Sequence, residues 1–288
     1  MSRKKSIQLA SLNIVVSPHP PGAYPKFLRT IEGVEVPAYG DERAILVNVT
    51  ERTLIAGRDI LSGHLFFYTE LQLGGAWFDI VTKKPIAANE IKDIEIPDNL
   101  RPNLKVSRFV FDVKSHTLYF ERKNIMGDVF GPSKVRKVFE NLSGTDKVSS
   151  VFPDVSVTLV PRHDSIARVL SVPNLKRLVI RVERPNEDDI STETARIMEK
   201  LQAMKAKKLE TTLVKAAGEP RLKPSEDFIM MAKVSSANGF THAIGESSSG
   251  IKVERKTSDY PSIHSIEVGE SEDPMAKIFE FLRYEFNE

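Results

Sequence analysis

Residues 106–142 read VSRFVFDVKSHTLYFERKNIMGDVFGPSKVRKVFENL, and this stretch decides the fold. Two runs of alternating residues flank Lys114-Ser115, which predicts a β-hairpin with a two-residue turn there. In that register Phe109 faces Phe120 on an apolar side of the hairpin. Arg108 faces Glu121 on the other side, which we expect to be wetter and to hold an ion pair. A one-residue slip would mix the two faces, so the pattern specifies the register.

A helix is predicted directly after the hairpin. Gly131-Pro132-Ser133 is a helix start, and the apolar residues that follow recur at helical spacing. These residues are Val135, Val138, Phe139 and Leu142. The run from Ser143 to Asp146 ends the helix, and we place a domain boundary there.

The remaining pattern predicts an α+β protein of two domains. Residues 1–145 form an N-terminal, mostly antiparallel β domain that contains the hairpin and the helix. Residues 146–288 form a C-terminal mixed α/β domain. In this second domain we expect a strand at 178–182, a long helix from about 192 to 208, a hairpin over 240–257 and a final helix from Pro274.

The bulk composition is that of a soluble globular protein. The 288 residues are 41% hydrophobic and 28% charged, and their formal net charge is only +2. Any attraction to a polyanion must therefore come from a local patch. The chain has no cysteine, which excludes disulfides and cysteine-based metal or catalytic sites. No apolar run has the length of a membrane helix or a signal peptide, so we expect a cytoplasmic protein without membrane insertion.

Carboxylates in the hairpin are candidates for a metal site. Asp112, Glu121 and Lys123 have the residue types of a metal-dependent nuclease hairpin. In the predicted register, however, Asp112 lies level with Thr117, about 13 Å along the strand from Glu121. Carboxylates that share one metal must each come within about 2–2.5 Å of it. The spacing favours a solvated hairpin face.

Other signatures of catalysis or of cofactor binding are missing from the sequence. The six histidines form no close-spaced pair, and neither a Gly-x-Gly-x-x-Gly nor a Gly-Lys-Ser/Thr loop occurs. We interpret Gly63, Gly74, Gly75 and Gly239 as turns and bulges. The sequence therefore predicts no catalytic residue, no metal site and no cofactor.

Clusters of basic residues are the remaining functional signal, because phosphate contacts require such charges. Glu140, Glu193 and Glu199 are interleaved with them, so an ordinary solvated surface remains an alternative interpretation. The candidate nucleic-acid-binding residues are Arg122, Lys123, Lys134, Arg136, Lys137, Arg196, Lys200, Lys205, Lys207, Lys208, Lys252, Arg255 and Lys256.

The segment from Phe109 to Leu142 resembles the RexA-like phage exclusion proteins. The resemblance lies in the order of its parts, which are an apolar strand, a turn, a second strand with the sequence His-Thr-Leu-Tyr-Phe-Glu-Arg, the run Phe130-Gly-Pro-Ser133 and a helix. The wider pattern, including Leu12-Asn-Ile-Val15 and Pro185–Asp189, also looks like an uncharacterised bacterial family of this length. The RexA resemblance implies a two-domain, dimer-forming, DNA-binding protein that acts in phage exclusion. It gives a DNA-contact role to the basic residues that flank the match, which are Arg122, Lys123, Lys134, Arg136 and Lys137.

We therefore expect a non-enzymatic homodimer that binds nucleic acid, DNA rather than RNA, without sequence preference. It would act as a sensor or effector in anti-phage defence, with a protein from a neighbouring gene as a possible partner. One alternative is a metal-dependent nuclease or other toxin enzyme that uses Asp79, Asp112 and Glu121. Another is a protein-interaction module in which Trp77 and Phe78 anchor a partner.

Overall fold

The structure is a computed structural model that describes residues 4–17, 20–71, 74–87, 96–183 and 192–287. Strands and helices together give the α+β class that the sequence predicts. The helices are α1 (Ala23–Ile31), α2 (Pro132–Ser143), α3 (Asp146–Ser149), α4 (Ser165–Leu170), α5 (Thr192–Ala203), α6 (Glu226–Ala237) and α7 (Pro274–Glu285). The strands are β1 (Lys5–Ser17), β2 (Glu35–Tyr39), β3 (Glu42–Val47), β4 (Thr53–Ile55), β5 (Arg58–Thr69), β6 (Trp77–Asp79), β7 (Lys84–Ile86), β8 (Lys105–Asp112), β9 (Thr117–Lys123), β10 (Asp154–Leu159), β11 (Arg177–Glu183), β12 (Lys208–Val214), β13 (Gly239–Glu246), β14 (Lys252–Lys256) and β15 (Ile263–Val268).

A large antiparallel sheet forms the centre of the molecule, in the order β10-β1-β9-β8-β5-β3-β2. Two further strands join it, because β15 pairs with β1 and β4 pairs with β5. The long strand β1 pairs with β9 along one edge and with β15 and then β10 along the other. The sheet thus contains strands from both sides of residue 145, and the division into domains at that residue stays a prediction.

The hairpin has the predicted register but a longer turn. Phe109 lies opposite Phe120, and Asp112 lies opposite Thr117 as the last pair of the ladder. Residues 113–116 form the connection, so the loop has four residues where two were expected. The carboxylate of Asp112 orders this loop by accepting hydrogen bonds from the backbone of Lys114 and the hydroxyl of Ser115.

The apolar face of the hairpin, which the register predicted, packs against α1 and α2. Phe109, Phe120 and the predicted inward residues of α2 are all fully or almost fully buried in one cluster. Those α2 residues are Val135, Val138, Phe139 and Leu142. Apolar burial of this extent is the main source of stability in a domain of this size.

The opposite face of the hairpin is buried as well, so the expectation of a wet face was wrong. Val110 has no exposed surface and belongs to a second cluster with Ile7 and Leu9 of β1. Ile278 and Leu282 of α7 belong to the same cluster. The final helix therefore covers a face whose polar residues suggested contact with water.

Two buried ion pairs accompany the covered face. Glu121 has no exposed side-chain surface and accepts hydrogen bonds from the Arg108 backbone at 2.9 Å and from its guanidinium at 3.2 Å. Asp112, also fully buried, pairs with Arg58 at 2.7 Å. The predicted pair between Arg108 and Glu121 is confirmed, and burial makes both carboxylates dependent on their arginines.

A separate, smaller antiparallel sheet has the strand order β12-β11-β13-β14. β11 corresponds to the predicted strand at 178–182, and β13 and β14 correspond to the predicted hairpin at 240–257. The preceding helix α5 ends at Ala203 and not near Lys208 as expected. Lys205 has the left-handed φ of 51°, which turns the chain out of the helix and into β12. The segment Pro185–Asp189, part of the resemblance, lies outside the described residues.

Within the described residues, no helix is both long enough and apolar enough to span a membrane. A separate two-stranded sheet of β6 and β7 completes the fold.

Gly63 lies inside β5, directly opposite Phe109, and the pairing with β8 continues through it without a register shift. The expectation of a turn or bulge there was wrong. A Cβ atom at residue 63 would lie 2.7 Å from the Phe109 ring. We expect Gly63→Ala to lower the free energy of unfolding by about 1–3 kcal/mol, because the buried ring has little room to move. Urea denaturation measures the loss.

Gly74→Ala is the matched control, because a Cβ atom at that position meets no atom within 4 Å. Combining Gly63→Ala with Phe109→Leu should cost less than the sum of the single changes. Strict additivity would show that the contact with the ring is not the cause.

The burial of Glu121 predicts that the free energy of unfolding depends on pH. Burial raises its pKa above the ordinary value of 4.5, although hydrogen bonds from Arg108 oppose the shift. The folded chain therefore holds a proton that the unfolded chain has already released. The contribution to stability is complete below pH 4.5 and is lost as the pH rises through the raised pKa.

Glu121→Gln removes this titration and keeps the shape of the side chain. Relative to that variant, we expect the wild-type chain to lose stability as the pH rises through this window. Urea denaturation at a series of pH values tests the expectation, and a difference that stays constant with pH would contradict it.

Candidate nucleic-acid interface

The small sheet has one face packed on helices and one face turned away from them. Leu178, Ile180 and Val182 of β11 lie in a buried cluster with residues of α4 and α6. Because side chains alternate along a strand, Arg177, Val179 and Arg181 point to the other side. We call that side the open face. It consists of Lys208, Glu210, Thr212, Val214, Arg177, Val179, Arg181, Glu183, Phe240, His242, Ile244, Glu246, Lys252, Glu254 and Lys256.

An aromatic ring and an arginine lie side by side on the open face. Arg181 is directly opposite Phe240 across the β11–β13 pair, with its guanidinium carbon 5.8 Å from the centre of the ring. Glu183 forms an ion pair with Arg181 at 2.9 Å. The half-buried ring of Phe240 is held in place by its strand and by this cation.

His242 occupies the centre of the open face, next to Lys256 in register and 3.4 Å from the carboxylate of Glu254. Partial burial lowers the pKa of His242, and the charge of Lys256 lowers it further. Glu254 opposes this shift. A neutral imidazole at neutral pH can offer both a hydrogen bond and a flat surface to a ligand.

A groove continues from the open face to the edge strand β10 of the large sheet. Its cavity has a volume of about 260 Å³ and is lined by residues of both sheets and of α2. Arg136 comes from α2, Arg181 and Glu183 from β11, Phe240 from β13, and Lys207 from the residue before β12. Lys207 is held by an ion pair with Asp154 at 2.6 Å. A second hollow beside it is lined by Lys205.

The open face and the groove bring together six of the thirteen predicted binding residues. Three lie on the open face and three lie along the groove and the hollow beside it. They are Lys208, Lys252 and Lys256, and then Arg136, Lys205 and Lys207.

The other predicted residues lie elsewhere. Arg196 and Lys200 are exposed on α5, whose Ile197 packs against the helix-covered face of the small sheet. Arg255 points to that same side, because its guanidinium donates to the carbonyl of Arg168 and the hydroxyl of Ser171. These three residues cannot share one surface with the open face.

The four predicted residues that remain belong to the large sheet and α2. Lys134 pairs with Glu42 at 2.7 Å and lies over the ring of Phe67. Lys137 pairs with Glu140 at 3.7 Å. The other two, Arg122 and Lys123, are the last residues of β9. Arg122 donates a hydrogen bond to the side chain of Gln8, and Lys123 lies opposite Gln8 in the β1–β9 ladder.

Sequence reasoning missed Arg177, Arg181 and Phe240, although these residues form the middle of the open face. The available signal was the alternation in β11, where charged residues flank apolar ones in Arg177-Leu-Val-Ile-Arg181. That alternation indicates a strand with one covered side. It does not indicate which other strands place residues beside Arg181.

The three carboxylates named for the nuclease alternative lie in different places, and each is engaged by its own partners. Asp112 and Glu121 are each buried against an arginine, and Asp79 lies in the two-stranded sheet, where it accepts hydrogen bonds from Val81 and Thr82. Among the residues that the structure describes, no group of three acidic, histidine or cysteine side chains is arranged to hold a metal ion.

Comparison with known proteins gives a family and no activity. The search of curated proteins found no match. The model of a domain of unknown function, DUF4747, matches residues 5–282, which include every strand of both main sheets. The chain therefore belongs to the DUF4747 family.

Proposed function

We propose that this protein binds single-stranded nucleic acid, without sequence preference, on the open face and in the adjoining groove. The observation that carries the proposal is an antiparallel sheet with helices on one side and with Phe240, Arg181 and lysines on the other. A strand of nucleic acid can lay its phosphates along such cations and one base against the ring. Several single-strand-binding folds use a sheet surface in this way.

The electrostatic part of the interaction would come from exposed lysines at the two outer strands. Lys208 on β12 and Lys256 on β14 are exposed on the two edge strands of the open face, with Arg181 and Phe240 on the strands between them. Phosphates that replace small counterions at these positions gain free energy from counterion release. Acidic neighbours such as Glu210 and Glu254 moderate the charge of the face, so stacking of an unpaired base on the Phe240 ring, which a single strand can provide, has to supply part of the affinity.

The biological part of the proposal rests on the resemblance of residues 109–142 to the RexA-like proteins. It extends the function to a cytoplasmic homodimer that takes part in phage exclusion, with DNA as the first candidate ligand. Binding to DNA or RNA of the same sequence would distinguish the two ligands, since 2′-hydroxyl contacts separate them.

Neutralising two exposed lysines of the open face tests the proposal. We expect Lys208→Gln/Lys256→Gln to weaken binding to a single-stranded oligonucleotide and to reduce the dependence of the binding constant on salt. The slope of log K against log salt concentration should become shallower by about 0.7 for each phosphate that the variant no longer neutralises. Fluorescence anisotropy at several salt concentrations measures both quantities.

Arg196→Gln/Lys200→Gln is the matched control, because it removes the same charge from the exposed side of α5. It should leave affinity and slope close to those of the wild-type chain. Equal losses in both variants would show that only net charge matters, and absence of binding at low salt would refute the proposal.

The hairpin of β6 and β7 supports a second candidate function, a protein-interaction module. Phe78 on β6 is 62% exposed, and Ile80 and Val81 in the turn are 72% and 84% exposed. Asp79 orders that turn by accepting hydrogen bonds from the Val81 backbone at 2.7 Å and the Thr82 hydroxyl at 2.6 Å. An ordered turn that exposes apolar residues loses little entropy when a partner covers it.

Phe78→Ser/Val81→Ser distinguishes this candidate from the first. If the hairpin anchors a protein, the variant should lose a stoichiometric partner that survives nuclease treatment, while oligonucleotide affinity stays unchanged. If no such partner accompanies the wild-type chain, the second candidate fails.

A further inference from the structure

The groove between the two sheets has an arrangement of donors that the open face does not have. Arg136 enters it from α2, which packs on the large sheet, and Arg181 enters it from the small sheet. Lys207 reaches it from the turn before β12. Three cations from three separate elements therefore border one cavity of about 260 Å³.

Both arginines are held by a carboxylate at a terminal nitrogen. Arg136 pairs through Nη1 with Glu140 at 3.3 Å, and Arg181 pairs through Nη2 with Glu183 at 2.9 Å. Glu183 is itself fixed by a hydrogen bond from the hydroxyl of Ser156. These contacts set the direction of each guanidinium plane before any ligand arrives.

The Nε–H groups of the same two arginines have no acceptor among the described residues. Both Nε atoms are buried, and neither has a hydrogen-bond partner in the part of the chain that the structure describes. Buried donors are normally paired, so the two arginines that border this cavity are incompletely satisfied by the described chain. An oxygen-rich anion is the class of ligand that suits two guanidinium groups and a lysine around one cavity.

The volume of the cavity and the residues in its wall further restrict which ligand it can hold. Its volume lies just below the usual range of small-ligand pockets, about 300–1,000 Å³, so it admits a group no larger than one nucleotide. Phe240 forms part of the wall beside Arg181 and offers a flat surface for a base.

We propose that the groove binds the terminal phosphate of a single strand, with the terminal base against Phe240. This inference rests on the proposed function and names the part of the strand that the groove takes. A phosphomonoester carries a charge of about −1.5 to −2 at neutral pH and three acceptor oxygens, whereas an internal phosphodiester carries a single charge. Glu140 and Glu183 border the same cavity, and each is paired with one of the two arginines.

Binding of short single strands that differ only at their ends tests the inference. The probes are one oligothymidylate with a 5′-phosphate, one with a 3′-phosphate and one with hydroxyls at both ends, measured by fluorescence anisotropy. We expect one phosphorylated form to bind on the order of tenfold more tightly than the hydroxyl form, as charge-assisted hydrogen bonds to a dianion require. The end that gains affinity identifies the polarity of the strand.

Three variants assign the preference to the groove. Arg136→Gln and Arg181→Gln should each remove most of the preference for the phosphorylated end, measured within each variant as the ratio of the affinities for the phosphorylated and the hydroxyl forms. Because Arg181 also belongs to the open face, Arg181→Gln should lower the affinity for the hydroxyl form as well. Lys207→Gln provides a third measurement outside the strands and helices, where misfolding is less of a concern. Arg196→Gln on α5 is the control and should keep the full preference.

The possible results separate the two proposals. Equal affinity for phosphorylated and hydroxyl ends would overturn the inference and leave the proposed function intact. A preference that survives in all three groove variants would place the phosphate elsewhere and also overturn it. Failure of every probe to bind would overturn the proposed function itself.

Discussion

Strand β1 makes backbone hydrogen bonds along both of its edges, with β9 on one side and with β15 and β10 on the other. Its 13 residues span the length of two ordinary strands, so one segment can hold partners from distant parts of the sequence. The position of β10 follows from this ladder. Since β10 borders the groove, the candidate site depends on the pairing of β1.

The same ladder explains why the hairpin is covered on both sides. β15 lies beside the first half of β1, and the chain continues from it directly into α7, which packs on the adjacent face. Burying that face takes two carboxylates out of water. The fold retains them by pairing Asp112 with Arg58 and Glu121 with Arg108, which gives these acidic residues a structural role.

Among the described residues, the small sheet, in contrast to the hairpin, is covered by helices on one face only. Its helices α4 and α6 pack on one side only, and α5 joins the same layer. The side that carries Arg181 and Phe240 stays uncovered among the described elements, apart from the end that meets β10. A polar junction at that end, with the Thr158 hydroxyl donating to the carbonyl of Ala237, holds the two sheets together and leaves the groove between them.

The local sequence was sufficient to predict most elements of the fold and the hairpin register. Alternation at Phe109–Phe111 and helical spacing at Val135–Leu142 are short-range patterns, and each element can be derived from its own residues. The same reasoning placed six basic residues in or beside the candidate site. It failed for Arg196 and Arg255, because a residue's charge does not show which side of a layer it occupies. The long pairing of β1, the burial of Glu121 and the meeting of Arg136 with Arg181 were decided only by tertiary structure. Each depends on contacts between segments far apart in the chain, and no local pattern records those contacts.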